Sequence, residues 1–337
     1  MKFDVGIQPS PITKAADSAA AAERSGASGI WVGETTHDPM FCAVLMAQAT
    51  SKVQVGTGVL IAFPRSPMVT ALQSWDLQQL SQGRFVLGLG TQVKGHIERR
   101  YSTPWHPPAA RMKEYVESLY AIWECWQNRK PLKYEGKYYK FSLMTPFFNP
   151  GPTKFGRPKV WLAALNARMC RLAGEVADGA NIHPFHTRKY LAEKAIPAVK
   201  EGLKASGRPD GACEIATAAF VAAGDTEREI KSMKEMVRAQ ISFYGSTKSY
   251  FAVWEAHGWE SVGEKLREMS LNNQWASMPK AVPDEALETF TVSGSWDEIP
   301  GKLKQKYGGL VDRLALYFPF QPGKQDALMK RVAEGIA

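Results

Sequence analysis

Cysteine is scarce in this chain. Cys42, Cys125, Cys170 and Cys213 are its 4 cysteines among 337 residues, far apart and in no CxxC pairing. That spacing argues against a disulfide framework and a zinc site, and it predicts a reducing compartment. Long apolar runs are missing too, since no stretch approaches the roughly 20 residues a membrane helix needs. The chain opens on the strand-like Lys2-Phe3-Asp4-Val5-Gly6-Ile7 with no signal-peptide pattern ahead of it. A cytoplasmic protein without membrane contact is therefore expected. HxH and HExxH spacings are absent, so no metal ligands are expected. Neither a short internal repeat nor a low-complexity tract is visible. The formal charge of +9 is spread along the chain, its nearest approach to a cluster being Lys94, Arg99 and Arg100. Such a spread argues against a nucleic-acid partner and permits an anionic ligand.

What is present reads as repetition of one unit. Leu80-Ser81-Gln82-Gly83-Arg84 ends a helix, and Phe85-Val86-Leu87-Gly88-Leu89-Gly90 forms a short strand running into a polar turn. Gly83 suits the left-handed position that closes a helix, and Gly90 permits close backbone approach. Apolar strands are expected at about 3–7, 30–32, 54–60, 85–89, 159–163, 179–182, 214–221 and 313–318, with helices between them. Unalternating apolar strands are what a sheet covered on both faces requires. Eight strands alternating with helices predict an α/β fold, a (β/α)8 TIM barrel, as one domain over residues 1–337. Insertions are expected at about 131–158 and 243–290, both dense in aromatics. A doubly wound sheet in two domains is the competing topology, and strand count favours the barrel.

In a barrel the residues just after each strand share one rim. That rule gathers Glu34, His37, Asp38, Arg65, Gln92, His96, Asn166, His183 and His186. His37, His96 and His183 follow strands two, four and six, which makes them, with Glu34, candidates for acid–base work. The dinucleotide pattern GxGxxG fails at Gly88-Leu89-Gly90, because Val93 stands where the third glycine belongs.

Several segments together resemble the luciferase-like monooxygenase superfamily, and within it the coenzyme F420-dependent oxidoreductases. They are Trp31-Val32-Gly33-Glu34, Val55-Gly56-Thr57-Gly58-Val59, Pro64-Arg65-Ser66-Pro67, the stretch from Leu80 to Thr91, and Arg171-Leu172-Ala173-Gly174-Glu175-Val176-Ala177-Asp178-Gly179. The resemblance implies a TIM barrel, a homodimer, and a flavin or deazaflavin across the C-terminal mouth. It implies a non-proline cis peptide at Gly58-Val59 beneath the ring, and backbone contacts to the cofactor phosphate at Ala164, Leu165 and Asn166. Glu34, Thr91 and Gln92 complete the candidate cofactor contacts. Thr35 and Val93 occupy positions where some relatives carry a histidine and a glutamate, which argues against sugar-phosphate dehydrogenase activity. FMN-using relatives present a serine- and glycine-bearing turn after strand five. Here that turn is Ala163-Ala164-Leu165-Asn166-Ala167. The expected function is F420-dependent hydride transfer to or from a small organic substrate. An FMN-dependent monooxygenase and a cofactor-binding barrel without turnover are the alternatives.

Overall fold

A computed structural model describes residues 1–337. Eight parallel strands close into a barrel: β1 Lys2–Ile7, β2 Gly29–Val32, β3 Gln54–Thr57, β4 Phe85–Gly90, β5 Lys159–Ala164, β6 Gly179–Ile182, β7 Glu214–Ala223 and β8 Arg313–Leu316. Closure is direct, with β8 returning to β1 so that Lys2 lies opposite Arg313. Helices cover the outside, and one continuous apolar core runs between them and the strands. The barrel expected from strand count is the observed fold.

Four departures have local causes. The strand expected over 54–60 is interrupted at Gly58–Val59, and Leu60–Ile61 pairs onward with Leu89 and Gly90. Residues 291–294, outside the eight expected strands, form a further strand on the far half of β7, which runs past the barrel rim to reach it. Lys94–Arg99, expected as loop, is a short helix. A proline inside a helix bends or breaks it, and Pro197 lies in the helical stretch between β6 and β7. The chain makes a π turn at Leu191–Ala195, and the helix Ile196–Ala205 starts with Pro197 in its first turn, where a missing N–H costs nothing.

Glycines set one turn and one close approach. Gly83 has φ 86° and turns the chain out of the helix Pro67–Leu80 as expected. The helices Ala167–Val176 and Ile196–Ala205 touch backbone to backbone: a Cβ on Gly174 would lie 2.0 Å from the Val199 carbonyl oxygen.

Of the two insertions, residues 131–158 form a hairpin, Tyr134–Glu135 against Lys140–Phe141, packed on the flank of the helix Pro108–Asn128. The Glu114 carboxylate anchors it by accepting the N–H groups of Lys137 and Tyr138 at 3.0 and 2.6 Å. Residues 243–290 begin in the last turn of the helix Glu227–Gly245 and add helices beyond it; Tyr244 in that turn and Tyr250 after it reach the histidine that follows β6.

The barrel interior is polar at its centre. Asp4 and Arg313, both almost fully buried, meet in a bidentate pair at 2.6 and 2.8 Å, and the Trp31 indole N–H donates to the same carboxylate at 2.9 Å. Trp31 and Trp161 stack 4.7 Å apart above this pair. Small residues make the room: a Cβ on Gly56 would fall 2.4 Å from the Trp31 ring, and one on Gly179 2.5 Å from the Trp161 nitrogen. Burial raises the Asp4 carboxyl above its ordinary value, and the guanidinium and the indole N–H offset only part of that rise. Burial also works against the Arg313 charge, yet Asp4, with Glu214 beside it, outweighs it and holds that guanidinium above its ordinary value. The two-point geometry decides for an ionised pair.

Candidate active site

Above the tryptophan stack lies a cavity of about 510 Å³, within the range of small-ligand sites. It opens at the C-terminal ends of the strands, where barrels place their chemistry. Its floor is Trp31 and Trp161 over Asp4. One side comes from the ends of β2 and β3, with Gly33, Thr35, Gly58 and Val59; the other follows β6 and β8, with Asn181, His183, Tyr317 and Phe318. A larger cleft of about 1140 Å³ lies at the opposite end, where Lys2, Lys159, Glu214 and Asp312 begin or precede their strands. That end of a barrel carries stability rather than catalysis.

Of the residues picked from sequence, Gly58, Val59 and His183 line the cavity. The Gly58–Val59 peptide is cis. His183 is held on all sides. Its Nδ1 accepts the Phe185 N–H at 3.1 Å, and the rings of Tyr244 and Tyr250 lie 4.6 and 4.9 Å from its own. Burial, with His186 beside it, pushes its pKa down to about 3. A neutral imidazole accepting at Nδ1 carries its proton on Nε2, and no protein atom accepts it. His183 is therefore a fixed donor at neutral pH, not a base. His186 lies behind it, fully buried, with Nδ1 2.8 Å from the His183 carbonyl oxygen.

The other picked residues lie outside this lining. Glu34 is bound up in a network of its own: its carboxylate takes Arg65 at 2.9 Å, the Ile61 N–H at 2.8 Å and the Tyr101 hydroxyl at 2.8 Å. Arg65 also reaches Asp38 at 2.8 Å, tying the end of β2 to the continuation of β3. His37 is half-buried beside this network, and His96 is exposed on the short helix after β4. Thr91 and Gln92 do not reach the cavity because Val59 sits over the end of β4; a Cβ on Gly90 would lie 2.5 Å from the Val59 side chain. The Gln92 side chain instead accepts the N–H of Val93 at 2.9 Å. Asn166 caps the helix Ala167–Val176 by accepting the Met169 N–H at 3.0 Å, with Ala164 and Leu165 buried just before it. The aromatic insertion 131–158 contributes nothing to the walls.

Asp4, Trp161, Asn181, Tyr244, Tyr317 and Arg313 escaped the sequence reading. Tyr317 directly follows β8, but the strand expected over 313–318 runs past it and hides it from the rim rule. Asp4 and Arg313 were hidden because charges inside apolar strands give no sign of each other across 309 positions.

With the cavity described, its relatives can be named. The family model for luciferase-like monooxygenases matches residues 2–313. An uncharacterized protein of Mycobacterium tuberculosis is 42% identical over 318 residues, covering 94% of this chain and 93% of its own. The 5,10-methylenetetrahydromethanopterin reductase of Archaeoglobus fulgidus is 27% identical over 316 residues, covering 91% and 90%. The solved structure of the coenzyme F420 dependent tetrahydromethanopterin reductase from Methanopyrus kandleri superposes with a TM-score of 0.78 at 21% identity, over 99% of this chain and 98% of that one.

Proposed function

The chain belongs to the luciferase-like monooxygenase family, and we propose that within it this protein is a coenzyme F420-dependent oxidoreductase acting on a small organic substrate. The observation that carries this reading is the absence of a free base in the cavity. Asp4 is paired with Arg313, Glu34 is paired with Arg65 outside the lining, and His183 is neutral. Such a site can orient and donate hydrogen bonds but cannot readily abstract a proton, which suits chemistry carried by a bound hydride carrier.

The residues present fit a flat tricyclic ring. The cavity has a floor of two stacked indoles tilted 27° to each other, bare backbone at Gly58 and Gly33, and an Asn181 amide with no partner in the protein. When bound, F420 would supply the two-electron transfer. Gly58 and Val59 would support the ring, Trp31 and Trp161 would exclude water beneath it, and His183 would donate from Nε2 to the substrate oxygen rather than to the ring. Glu34, whose network fixes the end of β2, would hold the rim rather than touch the ring. The turn 164–166 supports F420 over FMN. The Asn166 side chain already takes the Met169 N–H, so a phosphate there would have the first backbone N–H groups of the helix and no serine. Lys94, Arg99 and Arg100 lie exposed after β4, suited to the acidic tail of F420. His37 and His96, on that outer rim, would meet the tail or solvent before the ring. Thr91 and Gln92 would act there through backbone.

No helix is long and apolar enough to cross a membrane. We place the protein in the cytoplasm as a homodimer. The test is catalytic: under anaerobic conditions, a panel of ketones and aldehydes should oxidise reduced F420 in the presence of this protein, the direction that needs no base to take an alcohol proton. Oxygen consumption with reduced FMN, and no turnover with F420, would instead assign it as a monooxygenase. Tight F420 binding with no turnover on any compound would leave a binding barrel.

A further inference from the structure

We propose that the β6–β8 side of the cavity is a clamp for the oxygen of a neutral ketone, aldehyde or alcohol, with the His183 Nε2–H and a hydroxyl of the Tyr244–Tyr317 pair as its two donors. This names the substrate class of the reaction proposed above and rests on that reading only for the reaction, not for the binding.

The hydroxyls of Tyr244 and Tyr317 are hydrogen-bonded to each other. Two hydroxyls carry two protons and one bond uses one of them, so with Tyr244 donating to Tyr317 the Tyr317 hydroxyl, the one that lines the cavity, keeps its proton to donate. Nothing else in the protein takes it. Tyr317 lines the cavity together with His183, and their ring centres are 6.5 Å apart. Both are fixed before any ligand arrives. The Tyr317 N–H donates to the Ala219 carbonyl at 2.8 Å, and its ring stands edge-on to Phe220 at 5.3 Å. His183 is fixed by the Phe185 N–H and two tyrosine rings. Donors set in advance around one point stabilise an oxygen as it gains negative charge.

Charge decides the rest. No lysine or arginine lines this cavity, and its one carboxylate, Asp4, is paired below the floor. A carboxylate or phosphate entering here would lose its water with no cation to replace it, a loss that neutral donors do not make good. Burial, and then Tyr244, raise the Tyr317 hydroxyl well above its usual range, so it stays a donor. The wall around the two donors is apolar, from Pro184, Ala218, Leu316, Phe318 and Pro319. The fitting ligand has a small hydrocarbon body and one uncharged oxygen.

Three probes of one shape test this on the full chain: cyclohexanone, cyclohexanol and cyclohexanecarboxylate. Binding is read by saturation-transfer NMR with and without F420, and F420 affinity is read separately by its fluorescence. Cyclohexanone and cyclohexanol should each bind at least about tenfold more tightly than the carboxylate. Tyr317→Phe and His183→Phe, each removing one neutral donor, should weaken cyclohexanone binding by about threefold to tenfold while leaving F420 affinity unchanged. Equal or tighter binding of the carboxylate, no binding of any probe, or wild-type cyclohexanone affinity in both variants would overturn the clamp. The comparison among probes on the wild-type protein holds even where a variant fails to fold. Ketone preference without F420 binding would sink the proposed function and keep the clamp; F420 binding without ketone preference would do the reverse.

Discussion

Replacing Arg313 with methionine should be among the most damaging single changes in the barrel. Arg313 is 1% exposed and meets Asp4 by two hydrogen bonds at 2.6 and 2.8 Å. Methionine keeps much of the length but leaves the Asp4 carboxylate with a single donor, the Trp31 indole N–H. An uncompensated buried charge of this kind costs about 3–5 kcal/mol. The double variant Asp4→Asn with Arg313→Met should recover at least half of that loss, because asparagine is neutral and still accepts from Trp31. Urea denaturation followed by tryptophan fluorescence reads both values, with the slope m checked for constancy between variants. A loss below about 1 kcal/mol for Arg313→Met, or a double variant no more stable than the single one, would refute the claim that this ion pair is the barrel's buried charge centre.

Three further outcomes follow from other parts of the fold. Gly174→Ala should cost about 1–3 kcal/mol in the same assay, since its Cβ would lie 2.0 Å from the Val199 carbonyl oxygen and force the two helices apart; an unchanged urea midpoint would contradict that contact. Burial lowers His183 to about 3 and His186 to about 4, both beneath the ~6.5 of an unfolded histidine. The unfolded chain therefore binds more protons in acid, so this stability is complete above about pH 6.5 and is lost as the pH falls toward 4. His183→Phe should flatten the drop in urea midpoint between pH 7 and pH 5, and an equally steep drop would contradict the buried, neutral state. Sedimentation equilibrium should give twice the chain mass of 37.3 kDa, and a single species at that mass would exclude the homodimer.

All eight barrel strands were legible because each is a short apolar run bounded by glycine or polar turns, with a helix after it. Residues 291–294 were missed because Thr291-Val292-Ser293-Gly294 is too short and too polar to stand out from the helices before it. Position along the barrel told which end holds the site, but not which rim residues face inward. Glu34 and His183 follow their strands at similar distances, yet Glu34 turns outward to Arg65 and His183 turns in toward tyrosines more than sixty positions away. The Tyr244–Tyr317 contact joins the end of the helix Glu227–Gly245 to the residue after the last strand, and no local pattern in the sequence links them. The stretch around Gly83 and Gly90, the clearest motif in the chain, shapes the cavity only indirectly, by leaving room for Val59.

The choice of cofactor tests the account most directly. Titrating the protein with F420 and with FMN, under identical buffer and followed by fluorescence, should show F420 bound at least tenfold more tightly, a difference of about 1.4 kcal/mol. Equal affinities, or tighter binding of FMN, would contradict it.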